Sequence, residues 1–337
     1  MKAPFVWFGG KRRVAPQVWA ALGDVDNYVE PFAGSLAVLL ERPHDLGDGT
    51  RRAETVNDAD HYLSNFWRAL KHDPEAVAYH CDWPVNEDDL FARHLWLVNE
   101  GRHTLAEGIE ADPEFYDAKI AGWWVWGVNA WIGSGWCKGD GPWTKEAISA
   151  GQGVNRQLPH LGDAGQGVNR KLPHLGNAGK AGYNNLAYRN DGVLAYMEHL
   201  AARLRDVRVC TGDWSRVVTR GALSFGARVG VFLDPPYADE VRTEGLYASD
   251  DGAISHDVRR WCLENGDNPR YRIVLAGYSA EHDDLMPTTW RRVQWSAGAA
   301  YQTHTSSGGN KDNRHNEVLW CSPGCLNPSP SLFEVGA

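Results

Sequence analysis

The segment from Val231 to Glu240, VFLDPPYADE, constrains the fold of this chain more than any other stretch. Its first three residues are apolar and typical of a strand buried in a sheet. The two prolines after Asp234 cannot donate hydrogen bonds to a strand ladder, and each fixes its own φ angle. We therefore expect the strand to end at Asp234, which then lies in a stiff loop.

The first 70 residues alternate between strand and helix patterns. A helix is predicted between Pro16 and Gly23, because proline favours the first turn of a helix and glycine its end. A strand follows at residues 27–30, NYVE, and residues 35–42, SLAVLLER, are predicted to form a second helix.

A second strand is predicted around residues 53–56, followed by a helix that is capped near Asp58. The apolar residues of that helix recur at the helical period and would form one buried face: Leu63, Phe66, Trp67 and Leu70. Strands and helices in alternation predict an α/β fold with a parallel sheet.

Further strands are predicted only late in the chain, at residues 207–210, 229–233, 272–276, 290–295 and 317–321. The intervening region contains an acidic helical stretch, a tryptophan cluster and a glycine-rich segment. We expect a discontinuous sheet domain made of residues 1–70 and 200–325. A long insertion at residues 71–199 interrupts it, and a short tail at residues 326–337 follows it.

The charge of the chain is unevenly distributed. The net charge is −9, but residues 71–118 hold three Lys and Arg against twelve Asp and Glu, whereas residues 119–190 hold eight against three. Because a nucleic acid responds to the local field, the overall negative charge does not exclude DNA as a partner.

Membrane and metal sites are not indicated by the sequence. No apolar run approaches the roughly 20 residues that span a bilayer, and the N-terminal stretch lacks a signal-peptide pattern. Of the six cysteines, only Cys321 and Cys325 are close in sequence, and no second pair or flanking histidines complete a zinc site. We expect a cytoplasmic protein with reduced thiols, no membrane partner and no metal.

A tandem repeat lies in the glycine-rich segment, where GQGVNRQLPHLGDA at residues 151–164 is followed by GQGVNRKLPHLGNA at residues 165–178. Two copies are too few for a solenoid, and their glycines and prolines predict an irregular, exposed loop. Two interpretations stay open. The repeat is a duplication tolerated at the surface, or it is a basic arm whose Arg156, Arg170 and Lys171 contact phosphates.

Three strand ends carry residues suited to a nucleoside-containing cofactor, which doubly wound sheets bind beyond the carboxyl ends of their strands. The turn at residues 31–35, PFAGS, contains Gly34, where the backbone can approach a ligand closely. Asp58 follows the second strand, and its carboxylate can accept both ribose hydroxyls. Asp234 ends the strand described first.

The order of these motifs resembles the Dam-like N6-adenine-specific DNA methyltransferases of the alpha arrangement, in which cofactor motifs precede a recognition insertion and DPPY follows it. The motifs that carry the resemblance are FVWFGGK at 5–11, YVEPFAGSLAVL at 28–39, VND at 56–58 and LDPPY at 233–237. Two later segments, IVLAGYSAEHDD and NEVLWCSPGC, resemble the phage-type members most closely. The resemblance covers residues 1–70 and 207–325, and the insertion matches only loosely.

The resemblance implies a Rossmann-like methyltransferase sheet, a target-recognition insertion and S-adenosyl-L-methionine as cofactor. The implied cofactor-binding residues are Trp7 and Lys11 at the methionine end, Phe32 and Gly34 in the loop, Asp58 at the ribose, Asp213 and Trp214 at the adenine, and Asp234. Without the resemblance, Trp7 is equally consistent with packing and Lys11 with a surface position. The family usually has a second small residue two positions after Gly34, and the larger Leu36 narrows the expected cofactor pocket.

The implied reaction is methyl transfer to N6, the exocyclic amine of an adenine in double-stranded DNA. This amine is a poor nucleophile because its lone pair is delocalised into the ring. On this interpretation, Asp234 accepts a hydrogen bond from one N–H group of the amine and the carbonyl of Pro235 accepts one from the other. The two hydrogen bonds direct the lone pair at the methyl group. Pro236 stiffens the loop, and Tyr237 stacks on a base flipped out of the duplex.

Six tryptophans lie between residues 123 and 143. Either they form a helix core followed by a packed loop, or the later ones contact DNA. On the second interpretation, the contacts are Trp136 and Trp143, with Lys138 and Lys145 on phosphates.

Two other functions stay open at this point. A DNA-binding module with a degraded cofactor site keeps the fold without catalysis, whereas a methyltransferase of the same fold with a different acceptor acts on RNA or protein. A cognate restriction endonuclease is a partner if the enzyme belongs to a restriction–modification pair. No pattern in the chain specifies the oligomeric state or the DNA sequence recognised.

Overall fold

The computed structural model describes residues 1–5, 7, 11–43, 52–112, 114–131, 136–137, 187–236, 253–295 and 317–327. The chain forms two compact units. We call them the helical unit, which contains Met1–Phe8 and Ala59–Thr211, and the sheet unit, which contains Gly9–Asp58 and Gly212–Ala337. The domain boundaries predicted at residues 70, 200 and 325 stay predictions.

The strands form one seven-stranded sheet with the order β3-β2-β1-β4-β5-β7-β6. The pairs β2–β1, β1–β4 and β4–β5 are parallel. Strand β7 is antiparallel to both β5 and β6. Their bounds are β1 Asn27–Glu30, β2 Ala53–Asp58, β3 Val207–Thr211, β4 Val229–Leu233, β5 Tyr271–Tyr278, β6 Arg291–Gln294 and β7 Glu317–Cys321. The α/β fold and every predicted strand are confirmed.

The central strands of the sheet unit are buried, including the polar residues Asn27 and Glu30 of β1. All residues of β1 and β4 are buried, as parallel strands require. Helix α1 (Ala15–Leu22) packs against β4 and β5 and ends at Gly23, whose φ is +62°. The indole of Trp19 lies 4.8 Å from the ring of Tyr28, and its N–H donates to the carbonyl of Val38 at 2.7 Å.

Shorter helices complete the sheet unit. They are α8 (Ala253–Asn265), α9 (Ser279–His282) and the 3₁₀ turns Lys11–Arg13, Leu39–Glu41, Trp214–Val217 and Asp283–Leu285. The helix predicted over residues 35–42 is wrong, since only the turn at Leu39–Glu41 forms. Gly34 and Leu36 have φ angles of +48° and +54°, and a right-handed helix cannot pass through left-handed residues.

The helical unit contains a group of packed helices. They are α2 (His61–His72), α3 (Pro74–Cys81), α4 (Glu87–Trp96), α5 (Arg102–Ala111), α6 (Ala118–Ala130) and α7 (Ala187–Leu204). A π-helical segment, Leu97–Gly101, joins α4 to α5. Helices α2 and α3 both pack against α6 and α7.

Helix α2 contains the apolar face that the periodicity predicted. Leu63, Phe66, Trp67 and Leu70 are all buried. Its cap lies near Asp58, as predicted, and is Asp60, whose carboxylate accepts from the N–H of Tyr62 at 2.8 Å. Asp58 is the last residue of β2, where the chain is still extended.

Within the described residues, none of the helices combines the length and apolar character needed to cross a bilayer. The same residues contain no group of three His, Cys, Asp or Glu side chains arranged to hold a metal ion.

Candidate active site

Four side chains gather at one edge of the sheet unit, where the parallel strands end. Asp234 directly follows β4, Tyr278 is the last residue of β5, and Trp295 directly follows β6. Because β7 runs antiparallel to β5, its first residue, Glu317, lies opposite Tyr278. Strand direction alone therefore brings together residues that are far apart in the sequence.

Lys11 supplies the positive charge at this edge. It begins the 3₁₀ turn before α1, and its side chain is only 5% exposed. Its ammonium nitrogen Nζ lies 3.1 Å from Oδ1 of Asp234, 4.0 Å from Oε2 of Glu317 and 5.9 Å from the centre of the Trp295 ring. A buried ammonium requires such partners, because an unpaired charge in the interior is very unfavourable.

Asp234 is half-buried, and two effects on its ionisation oppose each other. Burial is the larger effect and raises the pKa of its carboxyl group above the ordinary value, while the charge and hydrogen bond of Lys11 limit that increase. In the described part of the chain, Lys11 is the one side chain paired with Asp234, through Oδ1. The other oxygen, Oδ2, therefore stays available to a substrate donor.

The rest of the DPPY motif continues away from β4. Pro235 is buried and Pro236 is half-buried, and neither adds a donor that competes for the Asp234 carboxylate. Tyr237, the predicted stacking residue, lies outside the described residues.

Glu30 is a second acidic side chain close to Asp234. It ends β1, is buried, and accepts a hydrogen bond from the hydroxyl of Tyr28 at 2.9 Å. Burial raises the pKa of Glu30 to about 8, and the negative charge of Asp234 contributes to the increase. The Glu30 carboxyl group is therefore protonated at neutral pH and adds no charge to the site.

The turn after β1 is bonded to the end of β2. The N–H of Gly34 donates to Oδ2 of Asp58 at 3.0 Å, and the side-chain amide of Asn57 donates to the carbonyl of Pro31 at 3.1 Å. The N–H of Ala33 also donates to the carbonyl of Asn57 at 2.9 Å. These bonds bring the predicted residues Gly34 and Asp58 together.

Leu36 is the strained position of this turn. It is fully buried and has a φ of +54°, a region that costs residues with a side chain roughly 1–2 kcal/mol. Burial of the leucine side chain offsets that cost.

Phe32 and Trp214 form a stacked pair at the same edge. Their ring centroids lie 6.1 Å apart at an interplanar angle of 27°, and Trp261 contacts Trp214 edge-on at 6.5 Å. Asp213 is exposed, and its carboxylate accepts from the N–H of Ser215 at 2.9 Å, which caps the turn containing Trp214. The predicted adenine-contacting residues are thus held by local interactions.

Two of the residues predicted to contact a ligand lie in the helical unit, one for the cofactor and one for DNA. Trp7 is half-buried and packs against Phe5 at 6.0 Å and against Trp124 at 6.1 Å. Trp136 is also half-buried, with its indole N–H donating to the carbonyl of Trp124 at 3.0 Å and its ring pressed against Gly127. Both rings have an evident packing role, and their predicted ligand contacts stay predictions.

The remaining predicted DNA contacts lie outside the described residues, as does the whole repeat at 151–178. They are Lys138, Trp143, Lys145, Arg156, Arg170 and Lys171.

Sequence reasoning missed four residues of this edge. Glu30 and Glu317 stand in the quoted motifs VEPFAG and NEVLW, each an acid beside an apolar strand, and that juxtaposition was an available signal. Tyr278 and Trp295 gave no comparable signal, because only the strand directions bring them to the same edge.

A comparison with known families agrees with this geometry. The family model for the D12 class of N6 adenine-specific DNA methyltransferases matches residues 7–95. The matched part of the chain is similar to Dam-like N6-adenine DNA methyltransferases. The match includes five predicted cofactor-binding residues: Trp7, Lys11, Phe32, Gly34 and Asp58. No curated protein matches the chain.

The seven-stranded sheet and its helices are consistent with a Rossmann-like methyltransferase fold. The family match supports adenine-N6 methylation of DNA as the activity, which requires a methyl donor. The resemblance to phage-type members stays a prediction.

The strain at Leu36 can be tested by two substitutions that remove the same side chain. Leu36→Gly should be more stable than Leu36→Ala by roughly 1 kcal/mol, because glycine adopts a positive φ without penalty. At Leu39, equally buried but in a 3₁₀ turn, alanine should be the more stable replacement. Urea unfolding measures the free energy of unfolding of all four variants. A Leu36→Ala variant more stable than Leu36→Gly would contradict the positive φ at position 36.

The pKa of Glu30 predicts how stability depends on pH. From its ordinary pKa of 4.5 up to about 8, the folded protein keeps a proton that the unfolded chain releases, so stability falls as pH rises. Glu30→Gln removes this loss. The unfolding free energy of Glu30→Gln relative to the wild type should therefore rise by up to about 1.4 kcal/mol per pH unit in that window. Urea unfolding at several pH values measures the difference, and a flat difference argues against a neutral Glu30.

Proposed function

We propose that the enzyme transfers the methyl group of S-adenosyl-L-methionine to N6 of an adenine flipped out of double-stranded DNA, with Asp234 orienting the amine. The observation that carries the proposal is the ion pair between Lys11 and Asp234. It opposes the effect of burial, which raises the pKa of Asp234, and it leaves Oδ2 without a described partner. The stiff Asp-Pro-Pro loop fixes the direction from which Oδ2 can accept a hydrogen bond.

The residues present fit S-adenosyl-L-methionine. Asp58 places a carboxylate beside the turn that contains Gly34, where ribose hydroxyls can be bound. The aromatic rings of Phe32 and Trp214 offer apolar faces for an adenine ring, and Asp213 orders the turn that carries Trp214. We assign the methionine end to Trp7 and Lys11 by their positions in the matched motif. When bound, this cofactor supplies an electrophilic methyl group on a sulfonium.

Asp234 and Pro235 act on the target amine. The carboxylate of Asp234 accepts a hydrogen bond from one N6–H group, and the carbonyl of Pro235 accepts one from the other. The N6 lone pair is thereby directed at the methyl group. The amine oriented in this way would take the methyl group that the cofactor supplies, and the electron pair of the broken carbon–sulfur bond would stay with the cofactor. N6 then loses one proton, which Asp234 accepts and passes to water. Pro236 keeps the two acceptors in a fixed relation.

Base flipping follows from access to the amine. A methyl group cannot reach N6 of an adenine stacked in a duplex, so the base must leave the stack. We assign Tyr237 to stacking on the flipped base, which typically contributes roughly 1–3 kcal/mol. The proposed contacts to DNA lie in the insertion, with the tandem repeat as a basic arm, and are Trp136, Lys138, Trp143, Lys145, Arg156, Arg170 and Lys171.

The test compares Asp234→Asn with the wild type in methyl transfer from labelled S-adenosyl-L-methionine to double-stranded DNA. The substitution should lower kcat at least about 100-fold, because the charge that orients N6 is lost. Asp26→Asn is the matched control, since Asp26 pairs with Arg228 at 2.9 Å in a structural role, and it should keep the wild-type rate. Equal rates for Asp234→Asn and the wild type would refute the mechanism.

The same assay separates the alternatives. Methylation of RNA or protein in preference to DNA would refute the proposed acceptor. Absence of S-adenosyl-L-methionine binding in calorimetry at millimolar ligand would identify a DNA-binding module instead.

A further inference from the structure

Glu317 is a buried acidic residue that the proposed mechanism does not use. It is 9% exposed, and its Oε2 atom has no hydrogen-bond partner in the part of the chain that the structure describes. The nearest opposite charge is the ammonium of Lys11 at 4.0 Å, and that ammonium is already bonded to Asp234 at 3.1 Å. Because an unsatisfied buried carboxylate is costly, its presence requires a reason.

The fold places Glu317 at this edge for a definite reason. It is the first residue of β7 and lies in register with Tyr278, the last residue of β5. Its main-chain carbonyl accepts from the N–H of Trp295 at 3.2 Å, which fixes the start of the strand. The side chain is thus held on ordered elements, in the same cluster as Lys11.

The charges of this cluster do not cancel. Burial raises the pKa of Glu317, as it does that of Asp234, and the charge of Lys11 opposes both increases. When both carboxyl groups are ionised, they contribute two negative charges against the one positive charge of Lys11, whereas the nearby Glu30 is neutral while protonated. The net charge is therefore −1. Without Glu317, the pair of Lys11 and Asp234 would be neutral.

We propose that Glu317 is a positioning residue for methyl transfer, an inference that rests on the proposed function. Glu317 acts through Lys11 and keeps the cluster of Lys11, Asp234 and Glu317 negatively charged. The reaction moves one positive charge from sulfur to N6 as the new N–C bond forms and the C–S bond breaks. A cluster with a net charge of −1 stabilises that positive charge next to Asp234, whereas a neutral pair does not. By sharing the ammonium, Glu317 also prevents Lys11 from neutralising Asp234 completely.

Glu317→Gln tests this inference, because it keeps the size of the side chain and removes its charge. We expect kcat for DNA methylation to fall roughly 10- to 100-fold, with the dissociation constant of S-adenosyl-L-methionine in calorimetry changed less than about threefold.

The pH dependence supplies a readout that a merely structural role would not change. Within the described residues, the groups that interact with Asp234 or Glu317 are Lys11, Glu30 and Tyr278. Removing the charge of Glu317 favours ionisation of Asp234, so the acid limb of the kcat profile should move to lower pH. Glu317→Asp keeps the charge and should keep the wild-type limb.

A measurement without cofactor or DNA accompanies the kinetics. The carboxyl carbon resonance of Asp234, identified by its loss in Asp234→Asn, should titrate at lower pH in Glu317→Gln than in the wild type. Glu54→Gln is the matched control. Glu54 is a buried carboxylate paired with Arg42 at 2.9 Å, and its removal should leave both kcat and the titration of Asp234 unchanged.

The outcomes distinguish the two proposals. A wild-type enzyme that transfers no methyl group to DNA refutes the proposed function. An active wild type whose kcat and acid limb are unchanged in Glu317→Gln refutes the role of Glu317. Equal losses of kcat in Glu317→Gln and Glu54→Gln, with an unmoved titration of Asp234, also refute it, because they indicate a structural effect alone.

Discussion

The ion pair between Lys11 and Asp234 is the interaction on which the candidate site depends. The ammonium comes from the turn before α1 and the carboxylate from the loop after β4, so the pair joins two distant parts of the sheet unit. Neither charge is tolerated alone at this level of burial. The pair therefore fixes the start of the first helix at the same edge where the DPPY loop presents its acceptors.

The neighbouring features adapt to this pair. The negative charge of Asp234 contributes to the raised pKa of Glu30, while Oε2 of Glu317 lies 4.0 Å from the ammonium of Lys11. The N–H of Gly34 donates to the carboxylate of Asp58, so these two proposed cofactor-binding residues are ordered by that bond and not by the ion pair. One edge of the sheet thus carries a charged part suited to the amine and a polar, aromatic part suited to a nucleoside.

Much of the fold could be predicted from the sequence, because its signals are local. The apolar strand before Asp234 and the helix from Pro16 to Gly23 both follow from residues within a few positions of each other. The failed helix at residues 35–42 shows the limit, since the left-handed backbone at Leu36 has no signature in a leucine. The site was predicted where a motif marks a strand end, as at Asp234 and Asp58. Glu317 was missed because its proximity to Lys11 depends on β7 running antiparallel, which no local pattern encodes.

The most direct test of the account is the titration of the Asp234 carboxyl group in Lys11→Met. Burial raises the pKa of Asp234, and the ammonium of Lys11 opposes that increase. Loss of the ammonium should therefore move the titration midpoint of Asp234, followed by its carboxyl carbon resonance in the protein without ligands, to higher pH. A midpoint that stays in place or moves to lower pH would contradict the account.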